Sequence, residues 1–226
     1  MKLEKVTEKA GRKYHDACGA AHGLDLIGER WALLVMRELM FGPRRFGDLK
    51  KDLCGLSANV LTQRLEGLEA SGIVRRRRLP PPASVQVYEL TDWGRELKPL
   101  YALLGGWAAR SPAHDPTLPL SPVSMVMSLE TMFDAAKAGD ARIEVGLVFA
   151  DESFRIRIAD GALSAERGGA EGAQVVFDTQ PSVLAGAVYG GAPFAVLEAD
   201  GLLTLTGDRA AAERFATFFD LPPKAV

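Results

Sequence analysis

The chain has 226 residues, 47% hydrophobic and 25% charged, a balance that suits one large or two ordinary globular domains. No apolar run approaches the roughly 18 residues of a spanning helix, and residues 1–9 lack the apolar stretch of a signal peptide, so a cytoplasmic protein with no membrane partner is expected. The net charge of −2 hides an asymmetry: residues 1–112 hold 19 Lys/Arg against 13 Asp/Glu, a net of +6, and residues 113–226 hold 8 against 16, a net of −8.

Such a split predicts two domains, with a nucleic-acid partner on the basic one. The alternative is chance clustering of charge. In chain order, residues 14–40 read as helical with a break near Gly28. Leu26, Ile27, Trp31, Leu34, Val35 and Leu39 recur at helical spacing as a buried face. Gly42 and Pro43 stop this stretch. Phe46, Leu49 and Leu53 mark a second short helix, and Cys54 with Gly55 a turn. Ser57 is a natural N-cap for a third helix that Gly72 ends. Residues 73–78 and 85–90 read as two strands around a proline-rich tip.

Thr91 or Asp92 caps a further helix. Along it Trp93, Leu97, Leu100, Leu104 and Trp107 form a heptad-like seam suited to a dimer partner. Residues 111–122 hold Pro112, Pro116, Pro119 and Pro122 without periodicity and read as a linker. A helix is expected over 123–137. From Ala141 the period becomes two, with Ile143, Val145, Leu147 and Phe149, then Phe154, Ile156 and Ile158. Asp160 and Gly161 make a tight hairpin turn. Residues 175–177 and 202–205 read as strands, and 181–189 and 208–219 as helices.

The third helix, projected at 100° per residue, has two faces. Leu61, Leu65 and Leu68 lie together; Asn59, Thr62, Gln63 and Glu66 lie opposite. Asn and Gln pair bidentately with adenine, and Thr meets the thymine methyl. Ser57 at the helix start offers a phosphate contact, and Arg64 serves phosphate or a partner helix. In a strand, alternate members of Arg75, Arg76, Arg77 and Arg78 face opposite sides, so two of the four would face DNA. The alternatives are an ordinary solvated helix face and a charged edge strand that blocks aggregation.

The runs 28–39 (GERWALLVMREL), 45–49 (RFGDL), 56–65 (LSANVLTQRL), 72–75 (GIVR) and 88–91 (YELT) resemble the HxlR family of winged helix-turn-helix regulators over residues 14–110. The resemblance implies a homodimer on a palindromic operator in double-stranded DNA, and adds Arg45 to the DNA-contacting set. Glu29 and Arg30 depart from the Gly-Lys usual before the tryptophan. Some members carry a redox-sensing cysteine at the position of Cys18. The alternative for Cys18 is the commoner fate of a free cysteine, a small buried apolar residue.

His15, Cys18 and His22 share one side of a helix but lack a fourth metal ligand, so no metal or other cofactor is expected. No nucleophile motif, phosphate loop or zinc-protease motif appears, so no catalysis is expected. Asp151 and Glu152 read as a solvated turn.

The runs 154–163 (FRIRIADGAL), 174–178 (QVVFD), 181–188 (PSVLAGAV), 200–208 (DGLLTLTGD) and 215–219 (FATFF) resemble the sterol carrier protein type 2 family. That implies a curved mixed sheet under helices with an apolar cavity, for which Val183, Leu184, Val188, Phe194, Leu197 and Phe218 are the candidate lining. The alternative is that they fill a core.

The expected fold is α+β. A winged helix-turn-helix domain (1–112), a linker (113–122) and a mixed α/β sterol-carrier-like domain (123–226) follow in order. The expected function is a dimeric transcriptional repressor with a possible apolar small-molecule effector. The alternative is a lipid carrier whose winged half only dimerises, discriminated by replacing Asn59 and Gln63.

Overall fold

The computed structural model describes residues 13–225; the stretch on which the signal-peptide reading rests lies outside them. The chain forms two compact units. One comprises the chain up to Leu39 with Arg44–Gly94, the other Met40–Pro43 with the chain from Arg95 onward. Both helices and sheets are present, and the class is α+β.

The first unit holds α1 (Gly19–Ile27), α2 (Ala32–Glu38), α3 (Phe46–Asp52), α4 (Ala58–Ala70), β1 (Val74–Arg78) and β2 (Gln86–Leu90). The short α5 (Asp92–Arg95) follows β2. Val35, Met36, Leu49, Leu61, Leu65 and Leu68 form the core where α2, α3 and α4 meet. The strands are antiparallel, with Arg75 opposite Glu89 and Arg77 opposite Val87. Arg44 bonds both ways with Tyr88 (2.9 and 2.8 Å), widening the ribbon by one short bridge.

Trp31 lies at φ 79°, so α1 ends before it and α2 restarts after it in a new phase. This corrects the expected single face. Val35 and Leu39 are buried, Leu26, Ile27 and Trp31 half-buried, and Leu34 is exposed. No residue of α1 is buried, and Tyr14 and Leu24 stand in solvent.

The second unit holds α6 (Lys98–Ala109), α7 (Pro122–Met132), α8 (Ala135–Ala138), β3 (Ile143–Phe149), β4 (Glu152–Ala159) and β5 (Ala162–Arg167). It continues with β6 (Val175–Thr179), α9 (Pro181–Gly190), α10 (Phe194–Ala199), β7 (Leu203–Gly207) and α11 (Arg209–Ala216). The sheet order is β5-β4-β3-β6-β7, antiparallel except for the parallel β3–β6 pair. Phe154, Phe177, Phe215 and Phe218 are fully buried in its core. Asp160 and Gly161 both have positive φ (53° and 72°), as the tight β4–β5 turn requires. Gly146 answers a close approach: a Cβ there would lie 2.4 Å from the Ala170 carbonyl oxygen.

Four expectations are corrected. The helix over 123–137 is two pieces, because Asp134 accepts from the amides of Ala136 (2.8 Å) and Lys137 (3.2 Å) and starts α8 afresh. The seam helix is broken at Glu96 and Leu97 into α5 and α6. Helix α10, six residues long between Pro193 and Asp200, was not expected. Glu152 belongs to β4, where it pairs with Arg167 instead of lying in a solvated turn.

Candidate functional site

The polar face of α4 is open to solvent. Ser57 caps the helix by accepting from the Val60 amide at 3.3 Å. Asn59, Thr62, Gln63 and Glu66 are exposed, while Leu61, Leu65 and Leu68 anchor the other face. The Thr62 hydroxyl donates to the Ala58 carbonyl at 3.1 Å, which turns its methyl group free for contact. Arg45 is exposed at the start of α3, its backbone N–H donating to Asp48 at 3.3 Å. Arg64 is half-buried and pairs with Glu29 at 3.1 Å, so its guanidinium is engaged inside the unit.

All four arginines of β1 are exposed, but they differ. Arg75 and Arg77 share the buried carboxylate of Glu89, at 2.7 and 2.8 Å. Arg76 lies 3.8 Å from Glu69, and Arg78 donates to the Ser84 carbonyl at 3.1 Å. The β-pleat therefore sets two arginines on the Glu89 side and two on the other. Burial pushes the Glu89 pKa up, but hydrogen bonds and charges from Arg77 and Arg75 outweigh it and leave the carboxyl below its ordinary value.

Cys18 is exposed, which corrects the reading of a small buried residue. It stands at the N-cap position of α1, where the nearby amides of Ala21 and Ala20 hold its thiol pKa below the ordinary cysteine value. Sequence spacing cannot register this, because the thiol's environment depends on where the helix starts. Among the described residues, no group of three or more His, Cys, Asp and Glu is placed to hold a metal ion. No helix among them is long and apolar enough to cross a membrane.

On the seam, Trp93, Leu100, Leu104 and Trp107 are exposed and Leu97 is half-buried. Leu103, absent from the expected seam, is as exposed as Trp107 at 73%. The other side of α6 packs on α7: a Cβ at Gly105 would touch Thr131 at 3.8 Å.

In the second unit, Leu184, Val188, Phe194 and Phe218 are buried, and Val183 and Leu197 half-buried. Phe194 stacks near Phe177, ring centroids 5.2 Å apart. An open hollow of this unit, about 310 Å³, lies along a different stripe of α9, lined by Ser182, Ala185, Gly186 and Tyr189. Pro116 and Thr117 of the connecting segment and Leu221 of the tail complete it. Sequence reasoning missed this stripe because its residues are small or polar and carry no apolar periodicity.

Residues 26–115 match the family described as HxlR-like helix-turn-helix, and residues 116–225 the family described as alkyl sulfatase C-terminal. The family matched there is described by its place in alkyl sulfatases, and the sterol-carrier likeness stays an expectation of the sequence. An HTH-type transcriptional regulator of Synechocystis, sll1512, is 42% identical over 83 residues, 37% of this chain and 62% of that protein. The HTH-type transcriptional regulator YvaP of Bacillus subtilis is 35% identical over 85 residues, 38% of this chain and 79% of its own length. The solved sec-alkylsulfatase Pisa1 from Pseudomonas sp. aligns at 20% identity and TM-score 0.41, over 45% of this chain and 16% of that one. The chain belongs to the HxlR-like helix-turn-helix family.

Proposed function

We propose that the protein is a homodimeric transcriptional repressor that reads a palindromic operator in double-stranded DNA and responds to an apolar small molecule. The observation that carries this is the α4 surface: Asn59, Thr62 and Gln63 stand exposed opposite a fully buried leucine stripe, and four exposed arginines follow at once in β1. Asn59, Thr62 and Gln63 read base edges; Ser57, Arg45 and the β1 arginines hold phosphates. Arg64 serves by fixing α4 against Glu29.

Dimerisation through α1 and the Trp93–Trp107 seam is supported by the apolar side chains that both leave in solvent. The second unit serves as the effector domain, with the mixed sheet under helices that a sterol-carrier-like module requires. In this reading the protein is not an enzyme and acts in the cytoplasm, its DNA-binding part spanning 1–112 and its effector part 123–226.

A mobility shift with the full chain and its own promoter tests the reading. Binding is expected to fall steeply with salt, and Asn59→Ala with Gln63→Ala to abolish preference for the promoter over random duplex. Promoter preference retained by the double variant, or no shift at low salt, overturns it.

A further inference from the structure

We propose that the hollow beside α9 is a binding site for one small, uncharged, mostly apolar molecule, and that this is where the effector of the second unit is held. The inference rests on the effector reading above and goes beyond it in naming the site and the ligand's charge.

The volume, about 310 Å³, falls at the small end of the range for small-molecule sites, roughly 300–1,000 Å³. Its α9 wall is built at helical spacing: Ser182, Ala185, Gly186 and Tyr189 share one side, while Leu184 and Val188 on the other side fill the core. On the hollow's side Ser182 and Gly186 are exposed, Tyr189 is half-buried and Ala185 forms the floor.

Glycine is a poor helix former, yet Gly186 stands in the middle of α9. No close contact and no positive φ demands it. A Cβ added there would meet no atom within 4 Å, and the same holds at Gly190. What the missing side chain leaves is room in the hollow. The ring of Tyr189 is fixed, because its hydroxyl bonds that of Ser128 at 2.7 Å. Burial pushes the phenol pKa up, so this wall stays neutral at physiological pH.

The ligand's charge follows from the lining. It contains no charged side chain, and its hydroxyls are those of Thr117, Ser182 and Tyr189. The Thr117 hydroxyl donates to the Asp115 carboxylate at 2.7 Å, and Asp115 itself stands exposed outside the lining. An ion placed there would lose water without gaining a counter-charge. A neutral molecule with one hydrogen-bonding group loses little. A second hollow, about 230 Å³ and lined by Lys98 and Glu130 among others, provides the contrast. There the lining itself carries charge, an ion pair of Lys98 and Glu130 at 2.8 Å.

The test is calorimetric titration of the full chain, without DNA, with n-octanol, octyl sulfate and octylamine. Octanol is expected to bind saturably, at one molecule per chain and at least ten-fold tighter than either charged probe. Gly186→Leu is expected to weaken octanol at least ten-fold while leaving Tm unchanged or higher. Gly190→Leu serves the same purpose if the first variant does not fold. No saturable octanol binding, preference for a charged probe, or unchanged affinity in a folded leucine variant overturns the proposal. The promoter mobility shift is read without any of these probes, so failure of the site and failure of the DNA-binding reading are separately visible.

Discussion

Glu89 shows how one residue sets the electrostatics of the wing. Its carboxylate is buried and holds both Arg75 and Arg77, so one negative charge ties two of the four guanidiniums to one side of the run. Its depressed pKa gives a definite sign. The pairing stabilises the fold fully above the ordinary glutamate range, and that contribution is lost as pH falls through the depressed value. Both arginines remain half in water, so Glu89→Gln is expected to cost only about 1 kcal/mol. It should also remove Glu89's share of the acid-dependent loss of stability and release both guanidiniums. The slope of log affinity against log salt on random duplex is then expected to steepen by about 0.9 for each arginine that reaches a phosphate. Unfolding curves against pH and mobility shifts across a salt series check the two halves. The sequence shows that alternate arginines face opposite sides. That Glu89 claims two of them depends on the β1–β2 register, which a sequence does not display.

At the scale of elements, α4 was the most legible part of the chain. A helix with three leucines at 61, 65 and 68 and a serine cap is specified within its own span, and it forms as expected. Elements set by their surroundings were harder to read. Helix α10 is too short to show a period, and the stretch over 123–137 reads as one helix until Asp134 caps a new one. Helix α6 belongs to both kinds. Its seam was legible, but the exposure of Leu103 beside it appears only once the opposite side packs on α7. A large apolar side chain moved from water into an interface contributes roughly 1.5–3 kcal/mol, and both Leu103 and Trp107 are mostly exposed. The double variant Leu103→Asp, Trp107→Asp is therefore expected to sediment as a monomer at concentrations where the parent is a dimer, and to bind the promoter at least ten-fold more weakly. Unchanged sedimentation would remove α6 from the dimer contact.

At the scale of the whole molecule, the question is how an occupied hollow reaches the DNA-binding surface. The C-terminal tail offers a physical connection within the second unit. Leu221 lines the hollow. Three residues later the Lys224 ammonium donates to the carbonyls of Ala109, Ser111 and His114, at 3.1, 3.1 and 3.3 Å, and so grips the C-terminal end of α6. The Ala225 amide adds a bond to the Arg110 carbonyl at 2.7 Å. A ligand that shifts the tail thereby acts on α6, the helix on which the dimer seam is proposed. Coupling requires unequal affinity for the two states of that helix. Lys224→Met is expected to leave octanol affinity intact while removing at least two thirds of octanol's effect on promoter affinity. Mobility shifts with and without octanol measure it, and an unchanged effect would rule out the tail as the connection.

The sequence by itself determined the features that act over a few residues: the two faces of α4, its cap, the run of arginines, the turn at Asp160 and Gly161, and the charge difference between the halves. Spacing, local sterics and composition are enough for these. The tertiary structure decided everything that depends on residues far apart in the chain. It put Leu34 and Cys18 into solvent, tied Arg64 to Glu29, and turned the small, polar stripe of α9 toward an open hollow while its apolar stripe filled the core. The physical reason is that helical or strand periodicity specifies which residues share a side, but only the packing partner specifies which side is covered.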